Sequence, residues 1–253
     1  MKKIIAAFCT GLAVLSLASY SFAAPVELHL DKTTIEIGTF YNGTTILASG
    51  TVPAGSEAVV RVSGKTEELH LKKKGKVAGL LWMNTGDVTI DNAPKIYMLY
   101  ASAAGREVLA DPKLGVGIES LREKIKVSPE SEDQGFISGE FIKLKKHDDV
   151  YAEFPGTVTY NEQPGGDRQY QVFLQIPPRM KADDYSIEVL AVKDGRIAGQ
   201  SGADLRVKMV GFPEQISRLA FNHGLLYGIF SVVVAVAAGF VTGALFRGKG
   251  GAH

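Results

Sequence analysis

Residues 223–251, HGLLYGIFSVVVAVAAGFVTGALFRGKGG, contain a run of membrane length without charged side chains. The run extends from Leu225 to Phe246, which makes about 33 Å of helix at roughly 1.5 Å per residue. The hydrocarbon core of a bilayer is about 30 Å thick, and a helix satisfies its backbone hydrogen bonds within one segment. A buried core helix of this length would carry a polar face, which the run lacks. The sequence therefore predicts a transmembrane helix over residues 224–246.

The N-terminus carries a second apolar stretch with the features of an export signal. A basic start, MKK, precedes an apolar run from Ile4 to Leu17, and Ser21-Phe22-Ala23 fits a small-x-small cleavage site. These features predict a secretory signal peptide over residues 1–23. The alternative is an uncleaved membrane anchor, because only the cleavage site distinguishes the two.

Together, the two apolar segments predict an orientation. An export signal carries the body across the membrane, and the C-terminal helix stops the transfer. Arg247 and Lys249 follow this helix directly, and basic residues favour the cytoplasmic side. We therefore predict a single-pass protein of the bacterial inner membrane, with its N-terminal body in the periplasm and the tail 247–253 in the cytoplasm.

Composition limits the chemistry of the predicted exported part. The sequence has a formal charge of +1; leaving out Lys2 and Lys3 gives −1, and leaving out Arg247 and Lys249 as well gives −3. A nearly neutral body is not typical of nucleic-acid-binding proteins, so we predict no nucleic-acid partner. The single cysteine, Cys9, lies inside the predicted signal peptide. Its removal would exclude disulfides, thiolate metal sites and cysteine nucleophiles.

The body has the pattern of a mainly β fold. In VELHLD, residues 26–31, apolar and polar side chains alternate with the period of a half-buried strand. Further short strand patterns are separated by turns that contain Gly, Pro and Asn, which is typical of a sandwich or a barrel. We interpret residues 24–112 as a first β-rich region.

The rest of the body changes character twice. Residues 113–150 contain GVGIESLREKIKV and ESEDQGFISGEFIKLKKHDD, which we interpret as a helical insert. Residues 151–212 return to strand patterns: Tyr170, Val172, Leu174 and Ile176 alternate with polar neighbours, and Asp194-Gly195 is a two-residue hairpin signal. This second β-rich region is the better candidate for an immunoglobulin-like sandwich. Residues 213–223 are predicted to form an amphipathic juxtamembrane stalk that runs straight into the membrane helix.

Several segments together resemble one family. They are FYNGTTILASGTV (40–52), KKKGKVAGLLWMN (72–84), PKIYMLYAS (94–102), FPEQI (212–216), HGLLYG (223–228) and TGALFR (242–247). In this order they resemble the family of putative transmembrane proteins first catalogued in alphaproteobacteria. The resemblance implies a signal peptide, an exported domain and one C-terminal helix, and it implies no known activity. It also implies a connection with transport, since some members accompany permeases for small sulfur anions.

Motifs that would indicate catalysis or a cofactor are missing from the sequence. Gly64-Lys65-Thr66 resembles the end of a phosphate-binding loop, but Val59 stands where the loop needs glycine. No two histidines have the spacing of a helical metal site, and His147-Asp148-Asp149 fits a solvated helix end better than a metal site. No Gly-x-Ser-x-Gly sequence is present. We therefore predict a protein without enzymatic activity, metal or cofactor.

Two features near residue 80 are candidates for partner contact. Lys72, Lys73 and Lys74, with Lys76, form a positive patch at a predicted hairpin tip. Such a patch either keeps the turn soluble or contacts an anionic partner or lipid headgroup. Trp82 is the only tryptophan, and it is either a core residue or an aromatic anchor facing a partner.

The predicted membrane helix carries small residues at intervals of four and three. These are Gly224, Gly228, Ser231, Ala235, Ala238 and Thr242. At 3.6 residues per turn they share one face, and small residues allow helix backbones to approach closely in a membrane. The alternative is that membrane helices are simply rich in Gly and Ala. We favour a packing face, used for an integral-membrane partner or for self-association.

These observations predict a non-enzymatic accessory or scaffolding subunit of a membrane complex, such as a permease or a respiratory assembly. The alternative is a membrane-tethered periplasmic module that binds a small anion for a transporter. A hydrolytic enzyme is a third hypothesis, which no group of residues in the sequence supports.

Overall fold

The structure is a computed structural model, and it describes residues 26–77, 79–129, 134–162 and 166–246. The predicted signal peptide 1–23 and the tail 247–253 lie outside the described residues. The described chain is mostly β-strand, with short helices in its middle and two helices at its C-terminal end. The predicted mainly β class with one C-terminal apolar helix is confirmed.

The strands and helices follow the turn and periodicity signals of the sequence. The strands are β1 His29–Leu30, β2 Thr34–Ile37, β3 Thr44–Val52, β4 Glu57–Gly64, β5 Thr66–Val77, β6 Leu81–Pro94, β7 Tyr97–Ala101, β8 Lys126–Ser128, β9 Tyr151–Pro155, β10 Thr159–Glu162, β11 Arg168–Ile176, β12 Asp183–Lys193 and β13 Arg196–Met209. The helices are α1 Gly105–Ala110, α2 Leu121–Lys124, α3 Gln134–His147, α4 Phe212–Asn222 and α5 Gly224–Phe246. A 3₁₀ turn, Ile118–Ser120, precedes α2.

Two sheets pack face to face to form a sandwich. The first is antiparallel, with strand order β1-β3-β11-β10, and the second has the order β2-β13-β12-β4-β7-β9. In β11 the side chains of Tyr170, Val172, Leu174 and Ile176 are buried while their neighbours are exposed or half-buried, as the alternation predicted. They meet apolar residues of β4 and β12, such as Val60 and Ile187, in one core.

A second core lies on the outer face of the six-stranded sheet. Leu99 and Leu190 of that sheet pack against Phe141 and Ile142 of α3 and Ile118 of the 3₁₀ turn. A third sheet, with order β5-β6-β8, contributes to the same cluster. Strand β7 and the segments 58–60 of β4 and 189–192 of β12 are buried on both faces, and there the sequence is a continuous run of apolar residues rather than an alternating one.

The two predicted β-rich regions share their sheets. Residues 168–176 of β11 pair with residues 44–52 of β3, and β12 pairs with β4 over eight positions from Tyr185–Gly64 to Val192–Glu57. Residues 151–212 therefore do not make a sandwich of their own, and the immunoglobulin-like assignment of that region is not confirmed. Local patterning identified the strands but not their partners, because pairing depends on contacts between distant parts of the chain.

The predicted helical insert is partly strand. Strand β8 begins within the segment GVGIESLREKIKV (115–127) and pairs with Thr89, Ile90 and Asp91 of β6. Val127 is buried there in the second core, and this packing favours a strand over a helix. Helix α1, just before the insert, was not predicted; it buries Gly105 and Leu109 against the sheet.

The predicted stalk is helical but does not run straight into the membrane helix. Helix α4 begins after Gly211, whose positive φ of 71° turns the chain out of β13, and Pro213 occupies its first turn. It ends at Asn222, and His223, with φ −137° and ψ 53°, departs from helical geometry before α5 begins. Helix α5 is long and apolar enough to cross a membrane, at about 35 Å for roughly 1.5 Å per residue.

Candidate functional site

The small residues of α5 lie on one helix face, open to the surroundings. A Cβ atom placed on Gly224, Gly228, Gly239 or Gly243 would meet no other atom within 4 Å. Ser231 donates its hydroxyl to the Tyr227 carbonyl at 2.8 Å, and Thr242 donates to the Ala238 carbonyl at 2.8 Å. Both hydroxyls are thus satisfied inside the helix, which suits a face that enters an apolar medium or packs closely on another helix.

The β5–β6 hairpin projects from the body, and its turn lies beyond the predicted place. The lysines 72, 73, 74 and 76 lie along strand β5, and not at the tip. Gly75, which the sequence suggests as a turn residue, pairs with Met83 inside the ladder, and a Cβ on it would lie 2.8 Å from Thr85 Cγ2. The turn instead uses Gly79, whose φ is +74°.

Trp82 is not a core residue. Its side chain is 68% exposed on β6, and the Lys76 ammonium lies 5.5 Å from its ring centre. Neighbouring Leu80 and Leu81 are 84% and 65% exposed. The interpretation of Trp82 as buried is therefore wrong for this structure, and the hypothesis of an outward-facing anchor fits its position.

A cavity of about 290 Å³ lies between the base of the hairpin and α3. Its floor is apolar, and its charged lining residues are Glu67, Lys95, Lys145, Asp148, Arg179 and Lys181. Most of these charges are paired: Lys145 Nζ lies 2.9 Å from Glu67 Oε1, Arg179 contacts Asp148, and Lys95 contacts Asp183 outside the cavity. The lining contains four cationic and two anionic side chains, so the cavity carries an excess of positive charge. The sequence did not predict this site, because its residues are far apart along the chain.

Hydrogen bonds to the carboxylate of Glu57 connect the two sheets of the sandwich at one end. Glu57 of β4 accepts hydrogen bonds from Ser102, from Tyr160 at 2.9 Å and from Arg168 at 3.1 Å. Burial alone would raise the pKa of Glu57, but these hydrogen bonds and the Arg168 charge outweigh it and hold its pKa below the ordinary value. These hydrogen bonds join β4 of one sheet to β10 and β11 of the other.

A second charged cluster lies where the hairpin leaves the sandwich. Asp183 accepts a hydrogen bond from Lys65 Nζ at 2.8 Å and also contacts Lys95. The lysine hydrogen bonds, Lys65 first, hold the pKa of Asp183 well below its usual range. Asp183 therefore fixes both strands of the hairpin base to the start of β12.

Among the described residues, no three His, Cys, Asp or Glu side chains lie together in a way that could hold a metal ion. Asp148, one of the residues weighed as a ligand from the sequence, contacts Arg179 instead. The geometry thus offers three features for a function: the small face of α5, the exposed hairpin tip and the cavity.

Comparison with protein families supports a membrane protein. The sequence profile of the family described as "Putative transmembrane protein (Alph_Pro_TM)" matches residues 25–248. The chain belongs to this family. Its one described helix of membrane length, α5, agrees with a membrane protein of this family.

Other comparisons add little. No curated protein has a matching sequence. Among solved structures, the chain is similar to Spo0M, the sporulation control protein from Bacillus subtilis, at 10% sequence identity and a TM-score of 0.34. That alignment covers 79% of this chain and 55% of the other, and so distant a likeness carries no argument about function.

Proposed function

We propose that this chain is a non-enzymatic accessory or scaffolding subunit of the bacterial inner membrane, bound through α5 to an integral-membrane partner such as a permease or a respiratory assembly. Its body lies in the periplasm and its C-terminus in the cytoplasm. The observation that carries the proposal is the open face of small residues on α5. In lipid, such a face gains little from contact with mobile acyl chains and much from contact with another helix.

The structure of α5 supports a role beyond anchoring. The small residues recur over the whole helix, from Gly224 to Thr242, while bulky residues such as Val233 and Phe240 lie on the opposite side. A simple anchor needs apolar length alone. The unbroken row of small side chains leaves a flat surface about five turns long for a partner helix.

Isoleucine on the small face tests the proposal. We expect Gly228→Ile, Ala235→Ile and Ala238→Ile to push the helices apart and to weaken association by about 1 kcal/mol or more each. Val233→Ile and Phe240→Ile, on the opposite face, are the matched controls and leave association unchanged. The measurement is co-purification of membrane proteins from mild detergent, with self-association in a membrane two-hybrid assay alongside. Equal behaviour of the two sets would reduce α5 to an anchor.

The proposed orientation has its own test. Protease added to spheroplasts is expected to digest the body, and a label at the C-terminus is expected to react only after the membrane is opened. The proposal for orientation fails if the body is fully protected.

A second candidate function is a tethered module that binds a small anion for a transporter. The observation that favours it is the excess of positive charge around the cavity, where Lys181 adds to the paired lysine and arginine side chains. Addition of sulfite or sulfate to the purified protein is expected to raise its melting temperature if the cavity is a binding site. Lys181→Gln is expected to abolish that increase, and no increase in the unmodified protein would remove this candidate.

A further inference from the structure

We propose that the tip of the β5–β6 hairpin inserts into the surface of an anionic lipid bilayer, the same membrane that α5 spans. The folded body would then be attached at two places, by a helix through the bilayer and by a hairpin in its interface. This inference goes beyond the proposed function, because it does not depend on which protein α5 contacts.

The tip presents apolar side chains that the body leaves uncovered. Val77, Leu80, Leu81, Trp82 and Met83 are all exposed, although they lie next to each other around one turn. Farther down the same strands, Val88 and Ile90 are buried in the second core. Trp82 alternates with Leu81 and Met83 along β6, so apolar side chains are exposed on both faces of the hairpin end. Exposed apolar surface of this extent marks a contact with a membrane or a protein.

The charges beside the patch favour a lipid surface. Residues 72–87 contain four lysines and one aspartate, a net charge of +3, and Lys72 contacts Asp87 across the ladder. Lysine is depleted in the cores of protein interfaces, whereas lysine next to tryptophan is typical of the membrane interface. There the ring occupies the headgroup region and the ammonium groups attract anionic lipids.

The hairpin leaves the sandwich at the end from which α4 and α5 depart. Strands β4 and β13 both run antiparallel to β12 and therefore point the same way. The β4–β7 ladder continues into β5–β6, since Gly64 N–H donates to the Ile96 carbonyl at 3.0 Å and Thr66 pairs with Pro94. At its base, Asp183 contacts Lys65 and pairs with Val207, close to the end of β13.

The dimensions allow the tip to reach the bilayer. The exposed arm from Lys72 to Val77 is about 20 Å long at roughly 3.3 Å per residue. The connection from β13 to the membrane helix is α4, about 16 Å long at roughly 1.5 Å per residue. Along α4, Phe212, Ile216 and Leu219 share one face, while Glu214, Ser217 and Arg218 lie on the other side together with Phe221. This arrangement suits a helix lying in the same interface.

The single tryptophan makes the test direct, because all tryptophan fluorescence comes from Trp82. The full chain is placed in nanodiscs with a tryptophan-free scaffold, either of phosphatidylcholine alone or of phosphatidylcholine mixed with phosphatidylglycerol. A nanodisc offers each molecule only the bilayer that α5 crosses. With phosphatidylglycerol, we expect a blue shift of the Trp82 emission, quenching by brominated acyl chains and loss of quenching by acrylamide.

Two sets of variants complete the experiment. Changing lysines 72, 73, 74 and 76 to glutamine is expected to remove the difference between the two lipid compositions. Changing the exposed lysines 32, 113, 143 and 193 to glutamine, which alters the same total charge away from the hairpin, is expected to preserve it. Trp82 that is open to acrylamide and untouched by brominated lipid in both nanodiscs would overturn the proposal and indicate a protein partner for the tip.

Discussion

The sandwich and the C-terminal helix are both rich in branched apolar side chains, but they bury them differently. Ile187 and Leu190 of β12 point to opposite faces of the sheet, and each is covered by another part of the chain. Val233 and Phe240 of α5 are 59% and 76% exposed. Apolar composition alone therefore does not identify a core, because β12 is covered by protein whereas α5 needs lipid to cover it.

The largest effect on stability is expected for a residue in the core of the sandwich, compared with an exposed residue of α5. Leu174 of β11 is fully buried between the two sheets, so Leu174→Ala is expected to lower the free energy of unfolding of the body by about 2–5 kcal/mol. Leu245→Ala removes the same atoms from an exposed position of α5 and is expected to leave the unfolding of the body unchanged. The measurement is chemical denaturation in detergent, followed by the near-ultraviolet circular dichroism of the buried tyrosines. Equal losses would mean that α5 belongs to the core of the body.

A smaller effect is expected at the charged base of the hairpin. The pKa of Asp183 is lower in the folded protein than the value of about 3.9 in an unfolded chain. Its contribution is therefore complete above that unfolded value and is lost as the pH falls towards the folded value. We expect the melting temperature to fall as the pH is lowered below about 4, and Asp183→Asn to weaken this dependence while destabilising the protein at pH 7.

The control for this titration is Asp167→Asn, since Asp167 is an exposed residue before β11. It is expected to leave both the melting temperature at pH 7 and its pH dependence unchanged. If Asp167→Asn and Asp183→Asn behave alike, the lysine contacts of Asp183 do not contribute to stability.

The smallest effect is expected on separating the two regions. Neither core cluster of the described chain includes a residue of α4 or α5. A fragment of residues 24–210 is therefore expected to be soluble and β-rich, and to unfold at the same temperature as the body of the full chain. A chelator is expected to leave that transition in place, and its loss would reveal a structural metal.

Local patterns predicted the elements that depend on neighbouring residues. The alternation in β11, the turn at Asp194-Gly195 and the helix α5 follow from the period of the sequence, and Asp194 and Gly195 both have positive φ as a two-residue hairpin turn requires. The position of the β5–β6 turn was missed, because Gly75 and Gly79 give the same local signal and only the fit of Thr85 against Gly75 separates them. The exposure of Trp82 follows from that position.

Long-range features of the site could not be predicted in this way. The cavity and the Asp183 cluster join residues from β5, α3 and the start of β12, whose proximity depends on how the sheets assemble. The three candidate features therefore differ in how far the sequence alone reveals them. The small face of α5 is visible in one helix, whereas the hairpin tip and the cavity require the structure.

The pairing of β3 with β11 and of β4 with β12 also sets an order of events during synthesis. When residues 44–64 leave the ribosome or an export channel, the strands that cover one edge of each, at 168–176 and 183–193, have not yet been made. Strands with open edges bind other chains readily, and distant pairing slows folding. The early chain therefore cannot complete either sheet before its second half has been made. We expect a chain truncated before residue 168 to leave β3 and β4 without these partners and to be sensitive to proteases.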